Sequence, residues 1–192
     1  MDQKEVMKRN LLEEIDGYLM QLVYLKDLMS VQEDMDNLNE KMQRAPNFTL
    51  IVECALIDSY TLAFMKLYDK SEKTKSIPNL IKKCKNNIHL FPSNKVLSDK
   101  LEEFENKLRE EKYIEEAIKT LRIRRDSSHV HNDSKYFGVK LQNDNTYLPM
   151  YKLWALRDFT EEVLEFLFKQ LSSEEPRRIK YDKDLKNLFE FS

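Results

Sequence analysis

The chain has 192 residues, of which 41% are hydrophobic and 34% carry a charged side chain. This length and composition are typical of one soluble domain with its own core, so we expect a single domain over residues 1–192. The formal net charge of −2 excludes a global positive field, and any binding of nucleic acid must come from a local patch. The chain contains two glycines, which leaves few sites for tight hairpin turns and argues against an all-β fold.

The sequence also predicts the cellular setting of the protein. The two cysteines, Cys54 and Cys84, have no metal-ligand spacing, and we expect a reduced, cytoplasmic protein that holds neither a metal nor a cofactor. The polar start of the chain fits no signal peptide. We also expect no membrane association, because no apolar run is long enough to span a bilayer.

Apolar residues recur at helical spacing through most of the chain. Residues 3–43 predict a long first helix, which ends before Pro46. Residues 48–68 are the most apolar segment, and a helix that is apolar nearly all round is usually central in a bundle. Within it, Asp58 either pairs with an arginine, Arg125 included, or faces a polar gap, because a buried carboxylate needs a partner.

The later segments complete the predicted architecture. They are a short basic helix over residues 79–88, a charged segment, a loop over 136–151 that could hold a small hairpin, an amphipathic helix over 152–171 and a short terminal helix from 176 onward. The charged segment covers 95–111 and 113–132, and these either form one long helix or are kinked near Lys112. These elements predict an all-α fold, an antiparallel helical bundle with a short C-terminal helix.

Ionisable side chains crowd into one stretch, from Arg125 to Asp133. The stretch contains two of the three histidines of the chain, His129 and His131. Histidine is the side chain most ready to move protons near neutral pH, and arginine is the one best shaped to hold a phosphate. The stretch therefore predicts phosphodiester chemistry or the binding of a phosphorylated ligand.

The helical register makes Arg125 unusual. The apolar face of an ideal helix in this region contains Ile114, Ala117, Ile118 and Leu121. The same face continues to Arg125, where an arginine is costly unless it is paired or lines a cleft. His131 lies roughly 120° away around the helix axis and about 9 Å along it. Either the helix is distorted, or Arg125 reaches across, or a second copy of the chain completes the site in a symmetric dimer.

An arginine, a polar residue, four further residues and a histidine at the end of a late bundle helix resemble the signature of the HEPN superfamily. Arg125, Asp126 and His131 occupy its three marked positions. The longer string resembles the abortive-infection, AbiU-like branch, with Val130 where alanine is usual. Residues 45–69 also resemble that branch, so that the resemblance covers most of the chain.

The resemblance implies a HEPN-like bundle that acts as a metal-independent endoribonuclease and as a homodimer. His131 would handle the proton of the ribose 2′-hydroxyl or of the leaving 5′-oxygen, Arg125 would stabilise the charge that grows on the phosphate, and Asp126 would orient its neighbours. The products would carry 2′,3′-cyclic phosphate and 5′-hydroxyl ends. The family also implies a toxic effector of phage defence or of a toxin–antitoxin pair, with RNA as substrate and an antitoxin or a nucleotidyltransferase as candidate partner.

Several alternatives stay open. Some HEPN domains bind a nucleotide or a partner protein without cleaving RNA, and a purely structural helical adaptor is a third interpretation. Arg124 also falls within the family spacing to His131 and could replace Arg125. His129 is either a second proton carrier or a neighbour on a wet face. Asp133 either ends the helix or contacts the site.

A basic patch is a further candidate. Its members are Lys82, Lys83, Lys85, Arg122 and Arg124. Together they form either a surface for an RNA backbone or merely a solvated helix face.

Overall fold

Helices make up most of the part of the chain that the computed structural model describes, residues 2–69, 71–92, 94–124 and 149–176. In chain order they are α1 (Gln3–Asn37), α2 (Asn39–Met42), α3 (Pro46–Leu67), α4 (Ile77–Asn86), a 3₁₀ turn (Ile88–Leu90), α5 (Asn94–Glu110), α6 (Lys112–Arg124) and α7 (Met150–Leu171). These ranges contain no strand, and the prediction of an all-α fold is confirmed. The predicted terminal helix after Pro176 lies outside the described residues.

Four helices form the central bundle. Each of α1, α3, α6 and α7 packs against two of the others, so that α1 and α6 lie diagonally across the core. α1 and α7 are antiparallel, because Lys26 pairs with Glu161 while Leu12 and Leu171 line a common depression further along. The stripe that α1 buries has helical spacing and contains Leu11, Ile15, Leu22, Leu25 and Met29.

α4 and α5 pack against each other beside the bundle, and α5 also packs against α6. The ring of Phe104 on α5 meets the rings of Phe159 and Phe166 on α7 edge to face, at centroid distances of 6.0 and 5.7 Å. Such offset aromatic pairs add stability beyond the area that they bury. These contacts fix α5 to the bundle.

The structure changes three helix boundaries. The first predicted helix, 3–43, is divided by a turn at Leu38 into α1 and α2. The chain over residues 95–124 forms two helices that meet at Glu111, which answers the question left open near Lys112. The predicted loop 136–151 ends earlier than expected, because α7 begins at Met150.

The prediction that the most apolar helix is central is wrong for one face of α3. Its Tyr60, Phe64 and Leu67 are buried, whereas Phe48 and Ile51 are 63% and 68% exposed. In a ring of four helices each helix keeps an outer face, and an apolar sequence on all sides does not specify which face points inward. By length and composition alone, α3 is long and apolar enough to cross a membrane, contrary to our expectation, and 28% of the stretch that meets this criterion is buried.

Candidate functional site

The predicted site residues follow directly after α6. Arg124, the alternative arginine, is the last residue of that helix. The other predicted members lie outside the described residues: Arg125, Asp126, His129, His131 and Asp133. Their roles therefore stay predictions, and the structure bears on them through the elements that lead to them.

The prediction for Arg125 assumes that α6 buries one stripe of apolar residues. All four residues of the expected stripe are buried: Ile114, Ala117, Ile118 and Leu121. They are buried because α6 packs against α3 and α7 across the bundle. By helical spacing, the position that follows Leu121 on this face is 125.

α6 and α7 begin at the same end of the bundle. The rings of Tyr113 and Tyr151 meet edge to face at 5.6 Å, and the Lys152 ammonium lies 2.6 Å from the Glu116 carboxylate. The connection that contains the motif therefore leaves α6 at its far end, beyond Arg124.

Arg124 lies in a polar neighbourhood formed with α3. Burial raises the pKa of the Tyr60 phenol to about 12, the positive charge of Arg124 acts to lower it, and the charges of Asp36 and Asp58 act to raise it further. Arg124 and Asp58 are both half-buried, and both have polar or electrostatic partners. Asp58 and Arg124 thus both act on Tyr60, and the pairing of Asp58 with an arginine stays a prediction. Sequence reasoning missed Tyr60, because nothing local marks a tyrosine in an apolar helix as part of a polar cluster.

Tyr68 connects α6 to α3 and α7. Its ring is fully buried, and its hydroxyl shares a hydrogen bond of 2.6 Å with that of Thr160. Its carbonyl accepts a hydrogen bond of 3.4 Å from Nη2 of Arg122. Burial raises the pKa of Tyr68, so the phenol stays protonated and can keep its hydrogen bond. The last turns of α6 are thereby held against the end of α3.

A groove of about 620 Å³ lies among α4, α5 and α6, one turn before the motif. Its cationic side chains come from all three helices and are Lys82, Arg109, Lys119 and Arg122. Two carboxylates, those of Glu105 and Glu115, also line it. The groove is therefore more positive than the chain as a whole.

The predicted basic patch is only partly assembled. Lys82 and Arg122 line the groove together, although 40 positions separate them in the sequence. Lys83 and Lys85 are instead paired with Glu14 and Glu105. Arg124 is not among the lining residues.

Two groove cations were missed by sequence reasoning, Arg109 and Lys119. The available signal was the spacing of Lys119 and Arg122, which are three residues apart and therefore neighbours on the surface of α6. Arg109 belongs to the last turn of α5, and only the break at Glu111 brings it beside α6.

Within the described residues, no group of three or more histidine, cysteine, aspartate or glutamate side chains could hold a metal ion. The histidines of the motif lie outside these ranges. The absence of a metal from the reaction therefore stays a prediction.

Comparison with known proteins identifies the family of the chain. The model of a HEPN family described as AbiU2 matches residues 9–186, nearly the whole chain. This match confirms the resemblance drawn from the motif and from the helical layout. Neither a curated protein nor a solved structure matches the chain significantly.

Proposed function

The chain belongs to the AbiU2 family of the HEPN superfamily, and on this basis we propose that it is a metal-independent endoribonuclease whose site contains Arg125, Asp126 and His131. The observation that supports the proposal is that α6 buries the predicted apolar stripe. That helix ends at Arg124, so the arginine, the aspartate and the histidine follow a bundle helix as the family pattern requires. His129 and Asp133 are supporting candidates.

The chemistry needs only side chains of this type. In the proposed reaction His131 takes the proton of the ribose 2′-hydroxyl or protonates the leaving 5′-oxygen. The 2′-oxygen attacks the adjacent phosphorus, the bond to the 5′-oxygen breaks, and a 2′,3′-cyclic phosphate and a 5′-hydroxyl result. Arg125 stabilises the negative charge that develops on the phosphate oxygens. Asp126 orients its neighbours.

We further propose that the enzyme is a homodimer formed across the outer face of α3. Phe48, Leu50 and Ile51 are each at least 60% exposed there, and contiguous exposed apolar residues of this size mark association surfaces. In this dimer the two copies of the motif would together complete the site.

Family membership also supports a biological role. We propose a toxic effector of abortive infection or of a toxin–antitoxin pair, acting on RNA in the cytoplasm. An antitoxin or a nucleotidyltransferase is the partner that fits this role. In a bacterial host, induced expression of the native chain should arrest growth and expression of the His131→Ala variant should not.

RNA cleavage in the presence of EDTA tests the proposed chemistry. The purified protein should cut single-stranded or structured RNA, and the new 3′ ends should resist polyadenylation until the cyclic phosphate is removed. Loss of a donor to the developing charge typically lowers the rate by on the order of 10²–10³, so Arg125→Ala should be nearly inactive, as should His131→Ala.

Two controls make the assay specific. His89→Ala removes an exposed histidine of the 3₁₀ turn and should leave cleavage unchanged. Arg124→Ala separates the two arginines: nearly full activity assigns the catalytic role to Arg125, and the opposite result assigns it to Arg124. Cleavage by His131→Ala at the wild-type rate would overturn the proposal.

A non-catalytic module that binds a nucleotide or a partner protein is the second candidate. The observation that favours it is the groove, because about 620 Å³ lies within the usual volume range of small-molecule sites. Calorimetry with nucleoside mono- and triphosphates tests it. Tight binding by a well-folded protein that does not cleave RNA would favour this candidate over the nuclease.

A further inference from the structure

The groove among α4, α5 and α6 has features of a binding site for an extended anion. Lys82, Arg109 and Lys119 are exposed cations on three different helices, and Arg122 is half-buried in the last turn of α6. Cations from several elements around one depression form a local positive field, which a chain with a net charge of −2 does not have globally.

The acidic residues of the groove only partly offset this field. The Glu105 carboxylate is paired with Lys85 at 2.7 Å, and Lys85 does not line the groove. Glu115 is exposed at the start of α6, whereas Arg122 is near its end. Lys82 pairs with Glu72 at 3.2 Å, but both side chains are mostly exposed, and such a pair is weak and easily exchanged for a phosphate.

The two groove cations of α6 lie in the second half of that helix, which precedes the motif in the sequence. Lys119 and Arg122 are three residues apart on α6 and are therefore surface neighbours about 5–6 Å apart, and in the sequence Arg125 follows three residues later. The guanidinium of Arg122 is oriented by its hydrogen bond to the carbonyl of Tyr68. A ligand that contacts Lys119 and Arg122 therefore lies along the last turns of α6, from which the chain continues to the proposed catalytic residues.

The lining favours contact with a backbone over recognition of bases. Among the described residues that line it, the one aromatic residue is Tyr68, whose ring is fully buried and whose hydroxyl bonds to Thr160. Exposed aromatic rings are what proteins use to stack unpaired bases, and the described part of the lining offers none. Its cations instead suit phosphates, which carry no sequence information.

We propose that the groove binds the phosphate backbone of a single RNA strand next to the bond that is cut, as a subsite separate from the catalytic residues. This inference rests on the proposed function for its ligand but on the groove for its location. It predicts RNA binding with little sequence preference and with a strong dependence on salt.

The test measures binding without cleavage. The ligand is a fluorescent, single-stranded 2′-O-methyl oligoribonucleotide, whose blocked 2′-oxygen cannot attack the phosphate. Fluorescence anisotropy at several salt concentrations gives the affinity and its salt dependence for the full chain. The groove variant is Arg109→Gln/Lys119→Gln, and Arg122 is kept because it also contacts Tyr68.

The matched control is Lys4→Gln/Arg9→Gln. It removes the same charge from exposed positions in the first turns of α1, a helix that does not line the groove among the described residues. Both variants should retain the wild-type circular dichroism spectrum and unfolding midpoint, because the substituted side chains are exposed.

The groove variant should bind on the order of tenfold more weakly at low salt. Its slope of log affinity against log salt should fall by about 1.4, because each lost phosphate contact on a single strand contributes about 0.7. The control should match the wild type in both quantities. Equal affinity and slope for the groove variant and the control would overturn the inference, as would complete competition by a nucleoside monophosphate, which would identify a small-molecule site.

The two proposals can fail separately. If the wild type does not cleave RNA but the groove variant binds it more weakly, the nuclease proposal fails and the groove stands. If the wild type cleaves RNA and the groove variant binds like the control, the groove inference fails and the nuclease proposal stands.

Discussion

Tyr68 is the residue at which three helices of the bundle are joined. It caps α3, its hydroxyl contacts Thr160 on α7, and its carbonyl accepts from Arg122 on α6. Buried polar groups are almost always hydrogen-bonded, because an unpaired group keeps the full cost of its desolvation. The contacts of this one residue therefore hold the helix that leads to the motif.

Removing the Tyr68 hydroxyl should measure this link. We expect Tyr68→Phe to lower the free energy of unfolding by about 1 kcal/mol, because it deletes the buried hydrogen bond to Thr160 and a longer one of 3.4 Å to the Leu156 carbonyl without opening a large cavity. The Thr160 hydroxyl keeps its bond of 2.7 Å to the Leu156 carbonyl, which limits the loss. Urea denaturation followed by circular dichroism measures the change.

The matched control for this experiment is Tyr24→Phe, because the Tyr24 side chain is 55% exposed. It should change the free energy of unfolding by less than about 0.5 kcal/mol. If the two variants lose the same stability, the hydroxyl of Tyr68 does not join the helices.

At the residue scale the sequence predicts what is local. The motif is recognisable because Arg125, Asp126 and His131 stand within seven positions of one another. The polar neighbourhood of Tyr60 and Arg124 could not be predicted, because it forms only when α3 and α6 pack together. The same holds for the groove, whose cations come from three helices.

At the scale of elements, a network of charges joins α5 to α7. Glu162 on α7 accepts hydrogen bonds of 2.9 Å from both Lys100 and Lys107 of α5. Burial acts to raise the pKa of Glu162, but the hydrogen bonds and charges of the two lysines outweigh it and lower the pKa. A carboxylate with a lowered pKa stabilises the fold above its ordinary pKa, and this contribution is lost as the pH falls.

Glu162→Gln should therefore destabilise the protein in a manner that depends on pH. Near pH 7 and at low salt we expect a loss of up to about 1 kcal/mol, since the pair is partly exposed. Well below the lowered pKa of the folded state the difference from wild type should vanish, because Glu162 is then protonated in both the folded and the unfolded states. Urea denaturation at neutral and acidic pH provides both values.

The control for the network is Glu102→Gln on α5, whose carboxylate is exposed. We expect its stability to follow that of the wild type at both pH values. An equal loss for Glu162→Gln at neutral and acidic pH would show that the glutamate acts through packing and not through its charge.

Helical periodicity predicts where helices lie in the sequence better than it predicts which of their faces are buried. The four apolar positions predicted for the stripe on α6 are all buried, because most of its apolar residues lie on one side. The orientation of α3 could not be predicted, because its apolar residues surround the helix and packing alone selects the buried side. Periodicity likewise does not decide the division at Leu38 or the break at Glu111, because apolar residues at helical spacing continue on both sides of each.

At the scale of the whole molecule, the outer face of α3 should decide the oligomeric state. We expect Ile51→Lys to convert a dimer to a monomer, because it places a charge in an apolar interface. The variant should also lose RNA cleavage although its motif is intact, since the proposed site needs two copies. Light scattering after size exclusion and the cleavage assay measure both effects.

Val96→Lys is the matched control for this substitution. Val96 is 61% exposed on α5, close to the 68% of Ile51, and the chemical change is similar. It should leave the mass and the activity unchanged. A dimeric and active Ile51→Lys variant would exclude α3 as the interface.

A thiol reagent can label the outer face of α3 selectively, because one cysteine of the chain is exposed there and the other is buried. Cys54 is exposed on that helix, three residues from Ile51, whereas Cys84 is buried and burial raises the pKa of its thiol to about 12. Only a deprotonated thiol reacts readily, so Cys84 stays inert in the folded chain. A nitroxide spin label can thus be attached at one position without any substitution, and in a symmetric pair of chains its dipolar spectrum reports a single distance across the two-fold axis.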